Sequence, residues 1–465
     1  MEKNSENHDL EKINASIYEI LENEAEKGIS QNFYDIPSKE DGKKSIICVI
    51  GMGYVGLPLA AIAASKGYEV FGFDTDLKKL DLIEKGISPF KEEFLEKLLP
   101  KVKIKTFYDP RLMRLMDIYI ICVPTPVDKN FYPDLKPVIN ASKTIAQNMK
   151  KGALVILEST VNPGLSEEVV KPIFEESGHV VGQDVFISHC PERINPGDSR
   201  WNVSNIPRVV GSFDEIGLKK TKDFYESIVD APIMTMGSIR EAEAVKIMEN
   251  SFRDINIAFV NELAQSFAQM DIDVTNVIRG ASTKPFAFMA HWPSCGVGGH
   301  CIPVDPYYLI EKAKNFGFDH RFLRTARSIN KSMPLFTVEI LQDLLNKLEM
   351  PVKNTNIGIL GLSYKANVGD LRESPSLELI KILKEKGASL HIFDPYVPKM
   401  STVGSLAEIL EKSDAILLAT NHREFENIPA ETFKKFEIIA IVDGKNCLDK
   451  QNIQKSGILY RGIGR

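Results

Sequence analysis

The stretch from Ser45 to Asp74 constrains the fold more than any other part of this sequence. The apolar run "SIICVI" is followed at once by glycines at positions 51, 53 and 56, then by a helical pattern, and then by "YEVFGFD", which ends in Asp74. This order is typical of two parallel strands joined through a tight turn and a helix, with the G-x-G-x-x-G spacing of dinucleotide-binding domains. The alternative to a dinucleotide site is that these glycines form an ordinary structural turn. An acid at position 74 is suited to the ribose hydroxyls and repels a 2′-phosphate, so NAD is favoured over NADP.

The rest of the chain divides into helical and strand-rich segments. Buried-strand patterns continue at "DIYIICV", "ALVILEST" and "DVFISHC", long helical patterns dominate from about residue 231, and strands return at "NTNIGILGLSY". We therefore predict an α/β protein with two Rossmann-like domains, each containing a parallel sheet, joined by a central domain with a long helix. The predicted segments are an N-terminal helix and linker (1–44), an NAD-binding domain (45–230), a central helical domain (231–350) and a C-terminal α/β domain (351–465).

Composition narrows the classes of partner. The 465 residues have a formal net charge of -6 and are 43% hydrophobic, which is typical of a multi-domain globular protein and argues against a main function in nucleic-acid binding. The sequence shows no leader pattern and no apolar run of membrane-spanning length, so we expect a cytoplasmic protein without membrane insertion. The six cysteines include no CxxC pair, so neither a disulfide framework nor a zinc site is expected.

Polar residues follow three of the predicted strands. Thr125 follows the first of them, Glu158, Ser159 and Thr160 follow the second, and Glu192 follows the third. In an open parallel sheet the carboxyl ends of the strands form the ligand-binding edge, so these loops are candidates for one site. Each loop read singly is also compatible with an ordinary turn, and the Glu192 loop with a solvated ion pair.

The predicted long helix contains a second group of polar side chains. Lys246 and Asn250 are four residues apart and so share one helix face, with Arg253 and Asn256 close to it. A lysine and an amide together can stabilise a substrate oxygen that becomes negative, which would require no metal. The alternative is a polar seam between packed helices.

The loop "CGVGGHCIPVDPYYL" places Cys301 after three glycines and four residues before Asp305. Buried structural cysteines usually lie in apolar runs, as Cys48 and Cys122 do, whereas a glycine-rich loop lets other groups approach the thiol closely. With NAD present, a thiolate can add to an aldehyde, and the adduct can transfer a hydride to NAD and become a thioester. Water then converts the thioester to an acid. An ordinary two-electron dehydrogenase is the competing interpretation.

Seven ordered segments from residue 45 onward resemble the UDP-glucose/GDP-mannose dehydrogenase family. They are "VIGMGYVGLPLA", "CVPTPVD", "ESTVNPG", "CPERINPGD", "KIMENSFRDINIAFVNELA", "GVGGHCIPVDPYYLI" and "LGLSYKANVGDLRESPSLELI". The resemblance implies oxidation of a nucleotide-sugar primary alcohol to a carboxylate with two NAD, through a cysteine thioester. It also implies a dimer or higher homo-oligomer that forms through the long helix.

The resemblance assigns roles to individual residues. The catalytic set is Cys301 as nucleophile, Asp305 beside it, Lys246 and Asn250 at the oxyanion, Thr160 holding a water, and Glu192 in thioester hydrolysis. The cofactor-binding set is Gly51, Gly53, Tyr54, Val55, Gly56, Asp74, Lys79, Pro124, Thr125, Glu158 and Ser159. The substrate-binding set is Arg253, Lys365 and Arg372, and no metal is expected.

Within the family, "PERINPGD" with "GGHCIPVDP" is most similar to the branch that acts on UDP-N-acetylhexosamines. N-acetylglucosamine, N-acetylgalactosamine and N-acetylmannosamine all stay open, and the implied pathway is surface polysaccharide synthesis. The alternatives are a UDP-glucose dehydrogenase, a two-electron hydroxyacid-type dehydrogenase and a nucleotide-sugar sensor that has lost catalysis. Two features depart from the family pattern: Lys445 replaces a usual arginine, and the first 44 residues have no counterpart.

Overall fold

The computed structural model describes residues 44–90, 92–127, 133–194 and 200–465. The helix predicted near the N-terminus lies outside these residues. The described residues form two compact units. The N-terminal unit comprises those up to Thr125 and within Asp134–Lys246, and the C-terminal unit comprises those within Pro126–Pro133 and Ile247–Arg465. The boundaries of the four segments predicted from the sequence stay a prediction.

The N-terminal unit is built on an eight-stranded sheet. Its strands are β1 (Ile46–Ile50), β2 (Glu69–Phe73), β3 (Ile104–Phe107), β4 (Ile118–Ile121), β5 (Ala153–Leu157), β6 (Val185–His189), β7 (Arg208–Ser212) and β8 (Ile233–Thr235). Their order is β3-β2-β1-β4-β5-β6-β7-β8, and all neighbours are parallel except β6 and β7. The strand order reverses next to β1, which is where open α/β sheets bind their ligands.

Both faces of this sheet are covered, which explains the nearly continuous apolar strands. Ile47 and Val49 pack into the core on one face, and Cys48 and Ile50 pack into the core on the other. The helices of the unit are α1 (Gly56–Ser65), α2 (Leu77–Glu84), α3 (Glu93–Leu98), α4 (Lys136–Asn148), α5 (Lys171–Glu176) and α6 (Glu215–Ile228). Short 3₁₀ turns lie at Leu99–Lys101 and Pro110–Leu115, and a π-helical turn at Ser166–Val170 leads into α5.

A 31-residue helix, α7 (Ile239–Gln269), follows β8. The C-terminal unit contains the later part of α7 and the helices α8 (Val274–Ala281), α9 (Asp305–Lys314) and α10 (Arg321–Lys347). A buried polar cluster joins α7 to α10: Arg327 donates to Asp254 at 2.5 Å, and Asn261 donates to Asn330 at 2.9 Å. The helical central region predicted from the sequence is therefore confirmed.

The second sheet of the protein lies in the C-terminal unit. Its five parallel strands, in the order β10-β9-β11-β12-β13, are β9 (Asn356–Leu360), β10 (Ser389–Phe393), β11 (Ala415–Leu418), β12 (Ala440–Asp443) and β13 (Leu459–Gly462). The helices around it are α11 (Pro375–Glu385), α12 (Leu406–Glu411), α13 (Ala430–Lys435) and α14 (Lys450–Lys455), with a 3₁₀ turn at Pro398–Met400. The order matches β2-β1-β4-β5-β6 of the first sheet, so the predicted fold class of two Rossmann-like sheets is confirmed.

Candidate active site

The turn after β1 has the three glycine environments that a bound dinucleotide requires. Gly51 adopts φ +94°, and a Cβ there would lie 2.7 Å from the Cys122 carbonyl oxygen. Gly53 has no atom within 4 Å of the position of a Cβ, which leaves its backbone open to a ligand, whereas a Cβ on Gly56 would lie 2.1 Å from the Gly51 oxygen. A tight turn, an open approach and close helix packing are the three functions of these glycines in Rossmann domains, so the residues fit a pyrophosphate at the start of α1.

Asp74 follows β2 directly, at the edge where this turn lies. Its Oδ2 accepts hydrogen bonds from the Met52 N–H at 2.8 Å and the Lys79 ammonium at 2.8 Å, and its Oδ1 accepts from the Asp76 N–H at 3.0 Å. Partial burial alone would raise the pKa of Asp74, but the hydrogen bond from Lys79 and the backbone donors lower it. The carboxylate is therefore ionised at neutral pH and retains acceptor capacity for a ribose hydroxyl.

The loops after β4 and β5 meet at the edge predicted from the sequence. Thr125 donates through its hydroxyl to the Thr160 carbonyl oxygen at 2.8 Å, and Ser159 donates to the Val123 carbonyl oxygen at 2.7 Å. Pro124 is exposed between them, and Tyr54 and Val55 are partly buried in the turn after β1. These hydrogen bonds fix the backbone around Ser159 and Thr160 from the neighbouring loop.

The side chain of Glu158 is directed into the protein. It is fully buried and accepts hydrogen bonds through Oε1 from Arg208, at 3.1 Å, and from the Tyr225 hydroxyl. Burial raises the pKa of Glu158, and Arg208 and Tyr225 oppose that rise. Arg208 and Tyr225 lie fifty and sixty-seven residues away along the chain. Neither residue was predicted from the sequence, because an arginine in a strand and a tyrosine in a helix carry no local signal of such a contact.

Glu192 is also buried, after β6. One of its carboxylate oxygens accepts the backbone N–H of Ile194, and its charge contributes to the raised pKa of Glu158. The neighbouring Arg193 donates to the Pro207 carbonyl oxygen at 3.1 Å. Glu192 and Glu158 therefore follow the ends of neighbouring strands, and both side chains are buried.

Helix α7 contains two of the predicted catalytic residues. Lys246 is 8% exposed, and Asn250, one turn further on, donates through Nδ2 to Asp305. Arg253 is exposed, and its predicted contact with the substrate stays a prediction. Glu243 was not predicted from the sequence, and its carboxylate accepts the backbone N–H groups of residues 164 and 166 after β5.

The Cys301 loop ends at the start of α9. The Cys301 carbonyl oxygen accepts the N–H of Val304 at 3.0 Å and of Asp305 at 2.8 Å, and Asp305 is 2% exposed. Helix N-termini favour negative charge, which suits a thiolate that acts as nucleophile. Asn250 and Asp305 are thus hydrogen-bonded one helical turn from the candidate nucleophile.

The glycines before Cys301 allow close contact with the segment after β9. A Cβ on Gly298 would lie 2.5 Å from Tyr364 Cβ, and Gly299, at φ +94°, donates its N–H to the Arg372 carbonyl oxygen at 2.9 Å. The close approach predicted at these glycines is present, and the approaching groups include the protein's own backbone and Tyr364.

Two of the predicted substrate residues lie in this segment. Lys365 is partly buried, and Arg372 forms a bidentate ion pair with Asp370 at 2.6–3.1 Å. The hydrogen bond to Asp370 chiefly raises the pKa of Arg372, and Tyr364 and Cys301 add smaller contributions. The backbone of Arg372 is joined to the Cys301 loop through the hydrogen bond from Gly299 to its carbonyl oxygen.

Lys445 follows β12, and its N–H donates to Asp443 at 3.0 Å. The adjacent Gly444 carbonyl oxygen accepts the N–H of Cys295, so this turn packs against the start of the Cys301 loop. Across the described residues, no group of three His, Cys, Asp or Glu side chains could hold a metal ion. In that same part of the chain, no helix is long and apolar enough to cross a membrane.

A Rossmann sheet with an open glycine turn and an ionised aspartate at the ribose position defines the N-terminal unit as that of an NAD-dependent oxidoreductase. The family models agree with this class. Residues 45–229 match the NAD binding domain of the UDP-glucose/GDP-mannose dehydrogenase family, residues 240–332 its central domain, and residues 358–450 its UDP binding domain. The chain belongs to this family, and it is an NAD-dependent UDP-sugar dehydrogenase.

Individual relatives share nearly the whole chain. A UDP-N-acetyl-D-mannosamine dehydrogenase from Pyrococcus horikoshii is 36% identical, over 90% of this chain and 99% of its own length. A UDP-N-acetyl-D-glucosamine 6-dehydrogenase from Pseudomonas aeruginosa is 37% identical, over 84% and 93%. The solved structure of a UDP-D-ManNAc dehydrogenase from Pyrococcus horikoshii is similar with a TM-score of 0.84, at 36% identity, over 90% of this chain and 99% of that one.

Proposed function

We propose that this protein oxidises the 6-hydroxymethyl group of a UDP-N-acetylhexosamine to the carboxylate, with two NAD as hydride acceptors. The observation that supports this best is the group formed by Cys301, Asp305 and Asn250 at the start of α9, with Arg372 nearby. A two-electron dehydrogenase has no use for a thiol so placed. The names of the relatives from Pyrococcus horikoshii and Pseudomonas aeruginosa support an N-acetylated sugar.

The proposed reaction balances over two oxidations. The alcohol loses a hydride and a proton to become an aldehyde, and the Cys301 thiolate adds to the aldehyde carbon to give a thiohemiacetal. Loss of a second hydride leaves a thioester, and water cleaves its C–S bond to release the carboxylate and the thiol. The sum is one alcohol, one water and two NAD⁺ converted to one carboxylate, two NADH and three protons. NAD, when bound, supplies the hydride acceptor in both oxidations.

The remaining residues have roles that their surroundings support. Lys246 and Asn250 share a face of α7, so a cation and an amide donor are available to a substrate oxygen that becomes negative. Asp305 accepts from Asn250 and so orients that amide. We assign Thr160 to holding a water, and Glu192, whose side chain is buried after β6, to thioester hydrolysis.

We also propose that the protein works as a homodimer or a higher oligomer formed through α7. Met248, Phe252 and Phe259 are 73%, 47% and 56% exposed, and their spacing of four and seven residues places them on one face of the helix. Exposed apolar stripes of this kind usually mark an interface. We place the enzyme in the cytoplasm, where NAD and UDP-sugars are available, and its uronate product in surface polysaccharide synthesis.

The test is the number of NADH formed per sugar when the purified full-length protein is offered UDP-linked N-acetylglucosamine, N-acetylgalactosamine, N-acetylmannosamine and glucose separately. We expect two NADH per molecule of one N-acetylated substrate. One NADH per sugar would contradict the thioester route, and two with UDP-glucose alone would contradict the choice of substrate.

A Cys301→Ala variant tests the nucleophile directly. It should bind NAD as the wild type does and form no uronate, because the thiohemiacetal requires the thiol. Cys447→Ala is the matched control, since Cys447 is also partly buried, and it should keep the full yield of acid. Undiminished acid from Cys301→Ala would show that the thiol takes no part.

A further inference from the structure

The two sheets begin with the same local arrangement. Gly361 follows β9 with φ +93° and donates its N–H to the Phe393 carbonyl oxygen at 2.9 Å, just as Gly51 follows β1 with φ +94° and donates to the Phe73 carbonyl oxygen at 2.8 Å. Asp394, after β10, accepts the N–H of Leu362 at 2.7 Å. It thus occupies the place in the C-terminal unit that Asp74 has in the N-terminal unit.

Asp394 differs from Asp74 in how its carboxylate is used. Its Oδ2 accepts from the N–H groups of Leu362 and Ser363 and from the Ser363 hydroxyl, and also from His422 Nε2 at 3.1 Å. Its Oδ1 accepts from the Tyr396 N–H at 2.8 Å. A carboxylate offers about four acceptor positions. Asp394 is fully buried and four of its five hydrogen bonds converge on Oδ2, so its carboxylate is turned into the protein and closed to a ribose hydroxyl from outside.

His422 joins Asp394 to the segment that follows the turn. Its ring is fully buried and lies 4.7 Å from the Tyr396 ring, nearly parallel to it. Nδ1 accepts the backbone N–H of Asn367 at 2.9 Å, so the ring hydrogen lies on Nε2 and is donated to Asp394. Each ring nitrogen therefore has one defined partner, and the two partners lie in different loops, Asn367 after β9 and Asp394 after β10.

Asn367 is the point at which this network holds the segment 364–372. Its φ of +61° is in the left-handed region, which asparagine tolerates better than most residues, and its Oδ1 accepts from the Arg423 N–H at 3.0 Å. Within the segment, the N–H of Tyr364 donates to the Asp370 carbonyl oxygen at 3.1 Å. The segment contains Lys365 and Arg372, and its last carbonyl accepts the N–H of Gly299 in the Cys301 loop.

We propose that His422 is a positioning residue for the nucleotide sugar. By accepting the Asn367 N–H while its other nitrogen is fixed by Asp394, it holds the segment 364–372 in the shape that places Lys365 and Arg372 against the UDP group. The inference rests on the proposed function, and it gives that function a residue that touches neither substrate nor cofactor.

Two substitutions separate the two hydrogen bonds of the ring. His422→Gln can still donate to Asp394 but has no acceptor at the Nδ1 position, whereas His422→Asn keeps an acceptor there and loses the donor. We expect His422→Gln to raise the KM for the UDP-sugar about tenfold, with kcat and the KM for NAD within about twofold of wild type, and His422→Asn to have the smaller effect on the sugar. His391→Gln, a partly buried histidine on β10, is the control and should change neither KM.

A second variant guards against misfolding of the first. Asn367→Gly keeps the positive φ and the N–H donated to His422, but it removes the side-chain link to Arg423, and we expect a severalfold rise in the sugar KM alone. An unchanged sugar KM in His422→Gln, or equal rises in both KM values that follow the loss of thermal stability, would overturn the proposal.

If the wild type oxidised none of the sugars offered, the proposed function would be wrong, and the role of His422 would need a separate test. The affinity for UDP itself, measured by calorimetry on the full chain, would then decide the role of His422. Weaker UDP binding by His422→Gln than by wild type would support the proposal, and equal binding would overturn it.

Discussion

Replacing Arg208 by methionine should leave the buried Glu158 carboxylate without its countercharge. Both side chains are fully buried, and Arg208 donates to Glu158 at 3.1 Å. Removing one partner of a buried ion pair usually costs about 3–5 kcal/mol, which is a large part of a typical folding free energy of about 5–15 kcal/mol. Methionine has a similar length and no charge, so the electrostatic loss should dominate the effect.

The carboxyl group can limit that cost by taking up a proton. A glutamate has an ordinary pKa of 4.5. Keeping it protonated in the folded state at pH 7 costs at most about 3.4 kcal/mol, since each pH unit above 4.5 corresponds to about 1.4 kcal/mol. At pH 5.5 the same limit falls to about 1.4 kcal/mol.

The direction in which stability changes with pH follows from the number of protons that the folded and unfolded states bind. In the variant the pKa of Glu158 is raised further in the folded state, so the folded chain holds a proton that the unfolded chain releases above pH 4.5. The free energy of unfolding therefore falls as the pH rises from 4.5 towards the raised pKa. We expect Arg208→Met to be destabilised by about 3 kcal/mol at pH 7 and by about 1 kcal/mol at pH 5.5.

Urea unfolding at the two pH values measures this difference. Trp201 lies in the N-terminal unit and Trp292 in the C-terminal unit, so Trp201 fluorescence in a Trp292→Phe background reports the unit that contains Glu158. Tyr225→Phe is the control: it removes a hydrogen bond to the carboxylate but keeps the countercharge, and should cost about 1.5–3 kcal/mol with little dependence on pH. A loss in Arg208→Met that is below about 1 kcal/mol and equal at both pH values would refute the reasoning.

Two further predictions concern the cofactor and the assembly. Asp74→Ser should raise the KM for NAD about ten- to a hundredfold and bring the KM for NADP closer to it, because one charged hydrogen bond to ribose is lost and the repulsion of a 2′-phosphate is relieved. Steady-state kinetics with both cofactors measure the two KM values. An unchanged preference for NAD would contradict the assignment of Asp74 to the ribose. Phe259→Glu should lower the molar mass of the protein in solution, measured by light scattering, because a charge would replace an apolar contact of the proposed interface. Lys347→Glu, on the exposed end of α10, serves as the control. An unchanged molar mass in Phe259→Glu would exclude this face of α7 as the interface.

The parts of the fold that the sequence predicts are those with a local signal. The turn at residues 51–56 needs glycine for reasons of backbone shape and close packing, and the buried strands need apolar residues on both faces. The long helix follows from apolar residues that recur at three and four. The strand-end loops could be placed at one edge because parallel strands all end on the same side, and the Thr125–Thr160 hydrogen bond agrees with that placement.

What the sequence does not predict are contacts between polar side chains that are far apart along the chain. Arg208 in a strand looks like any edge charge until the structure places it on Glu158. The polar seam considered for α7 does exist: Asp254 and Asn261 have partners on α10, and Asn250 donates to Asp305 at the start of α9. Of these three residues, only Asn250 belongs to the set that the helical spacing indicated. His422 lies in a short polar turn, and nothing in its neighbourhood indicates a buried ring. Such partnerships depend on tertiary packing, which periodicity does not report.

The inward-facing carboxylate of Asp394 has a kinetic consequence. The C-terminal sheet repeats the turn that follows β1 in the NAD-binding domain, yet its aspartate is fully buried and closed to a ribose. Rising concentrations of NAD should therefore not displace the sugar nucleotide from this unit. The two ligands can reach saturation independently, and the rate of oxidation can follow the supply of sugar without competitive inhibition by the coenzyme.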